Sequence, residues 1–97
     1  GRGPSTIFCI NDPIAMGAMQ ALLDAEIKVP EDVSIIGFND VEACNFTRPT
    51  LSTVYAPSFE MGEIGASVLH HMITGDDIHY PRRIQLPCQL KIRNSCK

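Results

Sequence analysis

The strongest constraint on this chain is a helical segment held between two apolar runs. Residues 5–11, STIFCIN, are β-branched and apolar and predict a buried strand. Asp12 then offers an N-cap acceptor, and Pro13 suits the first helical position. Over residues 14–26, Ala15, Met19, Leu22 and Leu23 share one face, and Ile14, Ala18 and Ala21 widen it. This predicts an amphipathic helix of about three turns, ended where Val29 precedes Pro30. Residues 33–38, VSIIGF, are apolar on both faces, as an inner parallel strand must be. Strand, helix and strand within the first 38 residues make a βαβ unit with a right-handed crossover.

The remainder is thinner. Residues 41–50, VEACNFTRPT, read as an irregular loop, and 51–56, LSTVYA, alternate as a third strand. Pro57 and Ser58 open a second helix, in which Met61, Ile64, Gly65, Val68, Leu69 and Met72 repeat with helical spacing. Gly75 suits its C-terminal cap, and DDIHYP follows as a loop. RRIQLPCQLKIRNS reads as one long or broken strand, with Pro87 at an edge, a bulge or a crossover. Two helices and four or five strands are few for an α/β layer fold, which covers both sheet faces. The chain therefore reads as part of a larger α/β assembly, with strand faces and a helix face left uncovered.

Charge is divided unevenly. Residues 1–80 carry a net −8 and residues 81–97 a net +5, through Arg82, Arg83, Lys91, Arg93 and Lys97. Lys91 and Arg93 alternate with Leu90 and Ile92, which suits the wet face of a strand better than a phosphate-binding surface. No apolar run approaches the roughly 20 residues that span a bilayer, so no membrane partner is expected. Cys9, Cys44, Cys88 and Cys96 form no Cys-x-x-Cys pair and are expected as free thiols, Cys9 as a small core residue.

Signals for catalysis are missing. The chain has no Gly-x-Ser-x-Gly elbow, phosphate loop or Gly-x-Gly-x-x-Gly. His70 and His71 are adjacent on a helix and point about 100° apart, so they cannot chelate one metal together. His79 has no ligand partner at a recognisable spacing. No catalytic residue, metal or cofactor is expected. The first predicted strand ends in Asn11-Asp12 and the second in Asn39-Asp40. Ligands of open α/β sheets bind outside the carboxyl ends of parallel strands, and Asn and Asp together supply the donors and acceptors that polar small molecules need. The same residues also cap helices and make turns. That second role suits Asp12, which precedes Pro13, and Asp40; position alone does not choose for Asn11 and Asn39.

NDPIAMGAM, VPEDVSIIGFND, RPTLSTV, MGEIGASVL and LPCQLKIRNS, in this order and spacing, closely resemble the C-terminal part of the lactose-repressor/galactose-repressor family of bacterial transcription regulators. The likeness runs over about residues 6–95. It implies an α/β, periplasmic-binding-protein-like core with two lobes. This chain would be a C-terminal fragment: a parallel βαβ unit, crossover strands and a helix of the other lobe. Residues 1–56 would belong to the C-terminal lobe, 57–86 to the N-terminal lobe, and 87–97 to the crossover back and the tail. The resemblance implies an effector-binding and dimerisation part of a cytoplasmic repressor, with a carbohydrate as the small-molecule effector. Operator DNA would be read only through a helix-turn-helix headpiece outside these residues. Asn11 and Asn39 map to effector-contacting positions, with Asp40 beside them and Ser58 at or near the crossover position of an effector-stacking aromatic. Asn39 stands where the family usually has an acidic residue, which exchanges a carboxylate for an amide. A homodimer is implied, with Met16, Met19, Phe46 and Thr47 on the matching pieces. The alternative is a fragment of a periplasmic-type sugar or solute-binding protein of the same fold.

Overall fold

The computed structural model describes residues 5–75 and 83–97. His79, the DDIHYP segment and Arg82 lie outside the described residues. Along the chain run β1 (Thr6–Phe8), α1 (Asp12–Asp24), β2 (Ser34–Phe38), a short 3-10 helix (Glu42–Asn45), β3 (Ser52–Tyr55), α2 (Ser58–Thr74) and β4 (Gln89–Lys91). The strands form one sheet in the order β1-β2-β3-β4. β1, β2 and β3 are parallel neighbours, with Ile7 opposite Ile35 and Gly37 opposite Thr53; β4 lies antiparallel to β3, with Leu90 opposite Val54. The mixed α/β architecture and its parallel βαβ unit are those expected from the sequence.

The chain divides into two compact units. The first comprises the described residues up to Ala56 together with Cys88–Lys97, and the second the described residues between Pro57 and Pro87. In the first unit, α1 packs on the sheet face that carries Ile7, Ile35 and Gly37. Cys9, Ala15, Met19, Val29, Ile35, Cys44 and Leu51 form its core, with Met16, Ala18, Leu22 and Leu23 partly buried against them. Ile35 and Leu51 are wholly enclosed, each worth about 1.5–3 kcal/mol of apolar transfer. Phe8, on the opposite face, and Ile10, just past β1, stand exposed.

Three local expectations are corrected, and one open alternative is decided. α1 is capped by Asn11, not Asp12: the Ile14 backbone N–H donates to Asn11 Oδ1 at 2.9 Å. The helix ends well before Pro30, because Glu26 turns left-handed at φ 62° and Ile27 N–H donates back to the Leu22 carbonyl, a Schellman-type closure. The 41–50 loop contains the 3-10 helix. Of the long or broken final strand, the ladder keeps only Gln89–Lys91, since the chain from Arg93 onward turns back to bond Thr50 and Ser52.

That tail completes the sheet. β3 begins opposite Ile36, so the start of β2 has no β3 partner. Ser95 fills the gap. Ile35 N–H donates to its carbonyl at 2.8 Å, its hydroxyl donates to the Ile35 carbonyl at 2.6 Å, and Ser52 N–H donates to its Oγ at 2.8 Å. A small, wholly buried hydroxyl thus satisfies two strand edges that would otherwise cost free energy.

In the second unit, α2 runs 17 residues and ends at Gly75 with φ 75°. None of its residues is buried. Met61, Ile64, Val68, Leu69 and Met72 line an open apolar groove with Ile84 and Leu86, so the apolar stripe exists as read and is open among the described residues of this unit.

Candidate functional site at the strand-end rim

The site follows from where β1 and β2 end. Because the strands are parallel, the loops after Phe8 and Phe38 leave the sheet on the same rim. Their closeness is direct: Val41 N–H, two residues past Asn39, donates to Asp12 Oδ2 at 2.8 Å. The structure therefore brings Asn11-Asp12 and Asn39-Asp40 together. Ser58 opens α2 in the second unit.

Each of the four has a distinct setting. Asn11 is half-buried and its Oδ1 already accepts one bond as the cap of α1, so its amide NH2 and the remaining lone pair of Oδ1 are what it can offer. Asn39 is exposed, with φ 110° and its N–H held by the Val54 carbonyl at 2.8 Å. Asp40 also has positive φ, 61°. Its N–H donates to Thr53 Oγ1 at 3.3 Å, and its Oδ1 accepts from Arg93 Nη2 at 2.8 Å. Asp12 is wholly enclosed. Besides the Val41 N–H, its carboxylate accepts the Thr53 hydroxyl at 2.6 Å. Its role is to tie α1, the loop after β2 and β3 together beneath the rim.

Two further residues make this possible. A Cβ at Gly37 would land on Asp12 Oδ1 and 3.2 Å from Leu51 Cδ2, so only glycine leaves space for the carboxylate. Alternation along the sequence predicts a solvated face for Arg93, yet it is 19% exposed and bonds both Asp40 and, through Nη1 at 2.9 Å, the Leu51 carbonyl. The corresponding reading holds better for Lys91, whose ammonium sits 6.0 Å from the Tyr55 ring centre. Gly37 inside an apolar strand is the one sequence signal for close approach; nothing in sequence spacing pairs residue 40 with 93, or 12 with 53.

All four cysteines are free. Burial pushes the Cys9 thiol up. Burial foremost, and then the neighbouring Asp12 carboxylate, push Cys44 up to about 12. Both are therefore protonated thiols at neutral pH and poor nucleophiles. His70 and His71 meet edge-on with ring centres 5.9 Å apart, and no metal-binding group of three ligands occurs among the described residues. Of the residues expected at a dimer interface, Phe46 is 72% exposed and Met16 and Thr47 are half-buried. Met19 is a core residue, 4% exposed, with almost no area left for a partner.

Residues 2–96 match the family described as periplasmic binding protein-like domain. The chain belongs to that family. Within the periplasmic binding protein-like family, its resemblance to the lactose-repressor/galactose-repressor regulators is borne out by its relatives. It is 40% identical over 92 residues to the ribose operon repressor of Escherichia coli K12, covering 95% of this chain and 28% of that protein. It is 38% identical over 96 residues to the HTH-type transcriptional repressor PurR of Haemophilus influenzae, covering 97% of this chain and 29% of that protein. A LacI family transcriptional regulator from Enterococcus faecium, solved with bound ribose, superposes with a TM-score of 0.83 at 32% identity, over 95% of this chain and 34% of that one. The chain thus spans less than a third of the curated relatives it matches. Among the described residues, no helix is long and apolar enough to cross a membrane.

Proposed function

We propose that this chain is the C-terminal part of the effector-binding and dimerisation core of a cytoplasmic DNA-binding transcriptional repressor. The effector is a carbohydrate, and operator DNA is read by a headpiece outside these residues. The observation that carries the reading is the shared rim: two parallel strand ends converge there and present the carboxamides of Asn11 and Asn39. Carboxamides combine donor and acceptor in one group, which suits ring hydroxyls. The repressor names of the relatives favour this reading over a transport protein of the same fold.

Within the site, Asn39 is the direct ligand contact, Asn11 contributes its NH2, and Asp40 braces the turn. Ser58 is a further effector contact, supported by the family likeness alone. Phe46, with Met16 and Thr47, is the contact for a second copy. Ligand-controlled movement between two states would change the disposition of the DNA-binding heads, a population shift whose size equals the difference in affinity for the two states.

The test is isothermal titration of the intact protein against a panel of sugars that includes D-ribose. Asn39→Ala is expected to weaken the bound sugar at least about tenfold, as loss of a hydrogen bond of about 1.4 kcal/mol would. Unchanged affinity for every sugar in both Asn11→Ala and Asn39→Ala would overturn the assignment.

A further inference from the structure

We propose that Arg93 is a positioning residue for the strand-end rim, acting through Asp40; the inference rests on the effector-binding reading of that rim. Asn39 and Asp40 stand in succession at φ 110° and 61°, a conformation that residues with a side chain rarely hold unless their surroundings impose it. The backbone on either side is pinned, Asn39 N–H to the Val54 carbonyl and Val41 N–H to Asp12. Asp40 itself has a long 3.3 Å bond from its N–H to Thr53 and the 2.8 Å ion pair with Arg93. With 19% and 16% of the two side chains exposed, water screens that pair weakly.

Arg93 is suited to the task because it is fixed at both ends. Its backbone N–H donates to Ser52 Oγ at 2.7 Å and its Nη1 donates to the Leu51 carbonyl at 2.9 Å. The guanidinium therefore reaches Asp40 from a frame built on β3. Arg93 also lies two residues past β4, on the segment by which the chain re-enters the first unit after Pro87. The shape of the rim at Asn39 is consequently set by that returning segment as well as by β2.

Hydrogen–deuterium exchange on the full-length protein, read by mass spectrometry, tests this with R93M, D40N and R93K. R93M and D40N are expected to speed exchange of the amides of residues 39–41 about tenfold, as local opening made easier by about 1.4 kcal/mol would, while Ile35 and Gly37 stay protected. R93K keeps the charge and is expected to restore most of the protection. Unchanged exchange at 39–41 in R93M overturns the proposal. So does a rise spread equally over β2, which would make Arg93 a residue of the fold rather than of the turn. Binding of D-ribose is titrated in parallel: wild-type protein indifferent to ribose counts against that ligand, while the exchange pattern still decides the positioning role.

Discussion

Asp12 and Thr53 meet at 2.6 Å inside the first unit, the hydroxyl of β3 donating to a carboxylate in the first turn of α1. The same carboxylate holds Val41 N–H, and the same Thr53 oxygen accepts from Asp40 N–H. Two side chains thereby fix three backbone segments under the rim. Replacing Asp12 by Ala strands a buried hydroxyl and a backbone N–H. A loss of about 2–4 kcal/mol is expected from two such groups, measured by urea denaturation. Thr53→Val should cost about 1–3 kcal/mol, and the double variant should lose less than the sum, because the two residues share one network. Strict additivity would show that they act separately.

Gly37 and Gly17 give opposite expectations for the same substitution. Gly37→Ala drives a methyl group into Asp12 and Leu51 and should destabilise by more than about 2 kcal/mol, in the range of overpacked cores. Gly17 is an exposed interior position of α1, and a methyl group added there would meet nothing within 4 Å. Gly17→Ala should raise stability by about 0.5–1 kcal/mol through helix propensity. Thermal melts of the two variants decide both.

Cys44 makes stability depend on alkaline pH. Its folded-state value is pushed up to about 12 from an ordinary 9.0, so the folded form holds its proton more tightly than the unfolded one. Its contribution is fully present below pH 9 and is lost as pH rises from 9 toward 12. Cys44→Ala should flatten that part of the stability profile relative to wild type. Thiol alkylation near pH 8 should label exposed Cys88 rapidly and leave Cys44 and Cys9 unmodified in the folded protein; early labelling of Cys44 would contradict its enclosure in the core.

The 97-residue chain in isolation should self-associate. Phe8 and Ile10 in the first unit and Leu69, Met72 and Ile73 on α2 are each more than half exposed, and exposed apolar side chains of this size favour association. Sedimentation velocity should show concentration-dependent association, reduced by Leu69→Glu with Met72→Glu. A stably folded monomer at all concentrations would refute this.

The βαβ unit, α2 with its Gly75 cap and the convergence of two polar strand ends are legible in the sequence because periodicity and parallel topology are its local consequences. The exchange of roles between Asn11 and Asp12 is not. Either side chain can cap a helix, and what decides is that Thr53 and Val41 claim Asp12 from 41 and 29 residues away. Arg93 escapes a local reading for the same reason: alternation with Leu90 and Ile92 describes a strand, but β4 stops at Lys91, and the partner that captures the guanidinium lies 53 residues upstream. The ligand contacts expected of Asn11, Asn39 and Ser58 rest on position and family likeness, so binding measurements must carry them.

The Ser95 insertion also sets a schedule for synthesis. The Ile35 carbonyl and the Ser95 hydroxyl that bonds it are separated by 60 residues. A ribosome adding roughly 5–20 residues per second delivers the second about 3–12 s after the first. Through that interval the centre of the sheet has an open hydrogen-bonding edge beside Ile35, on the strand that ends at Phe38. Arg93, which holds Asp40, sits on the same late segment, so the edge beside Ile35 and the ion pair at the rim are both completed only as the last residues described here emerge.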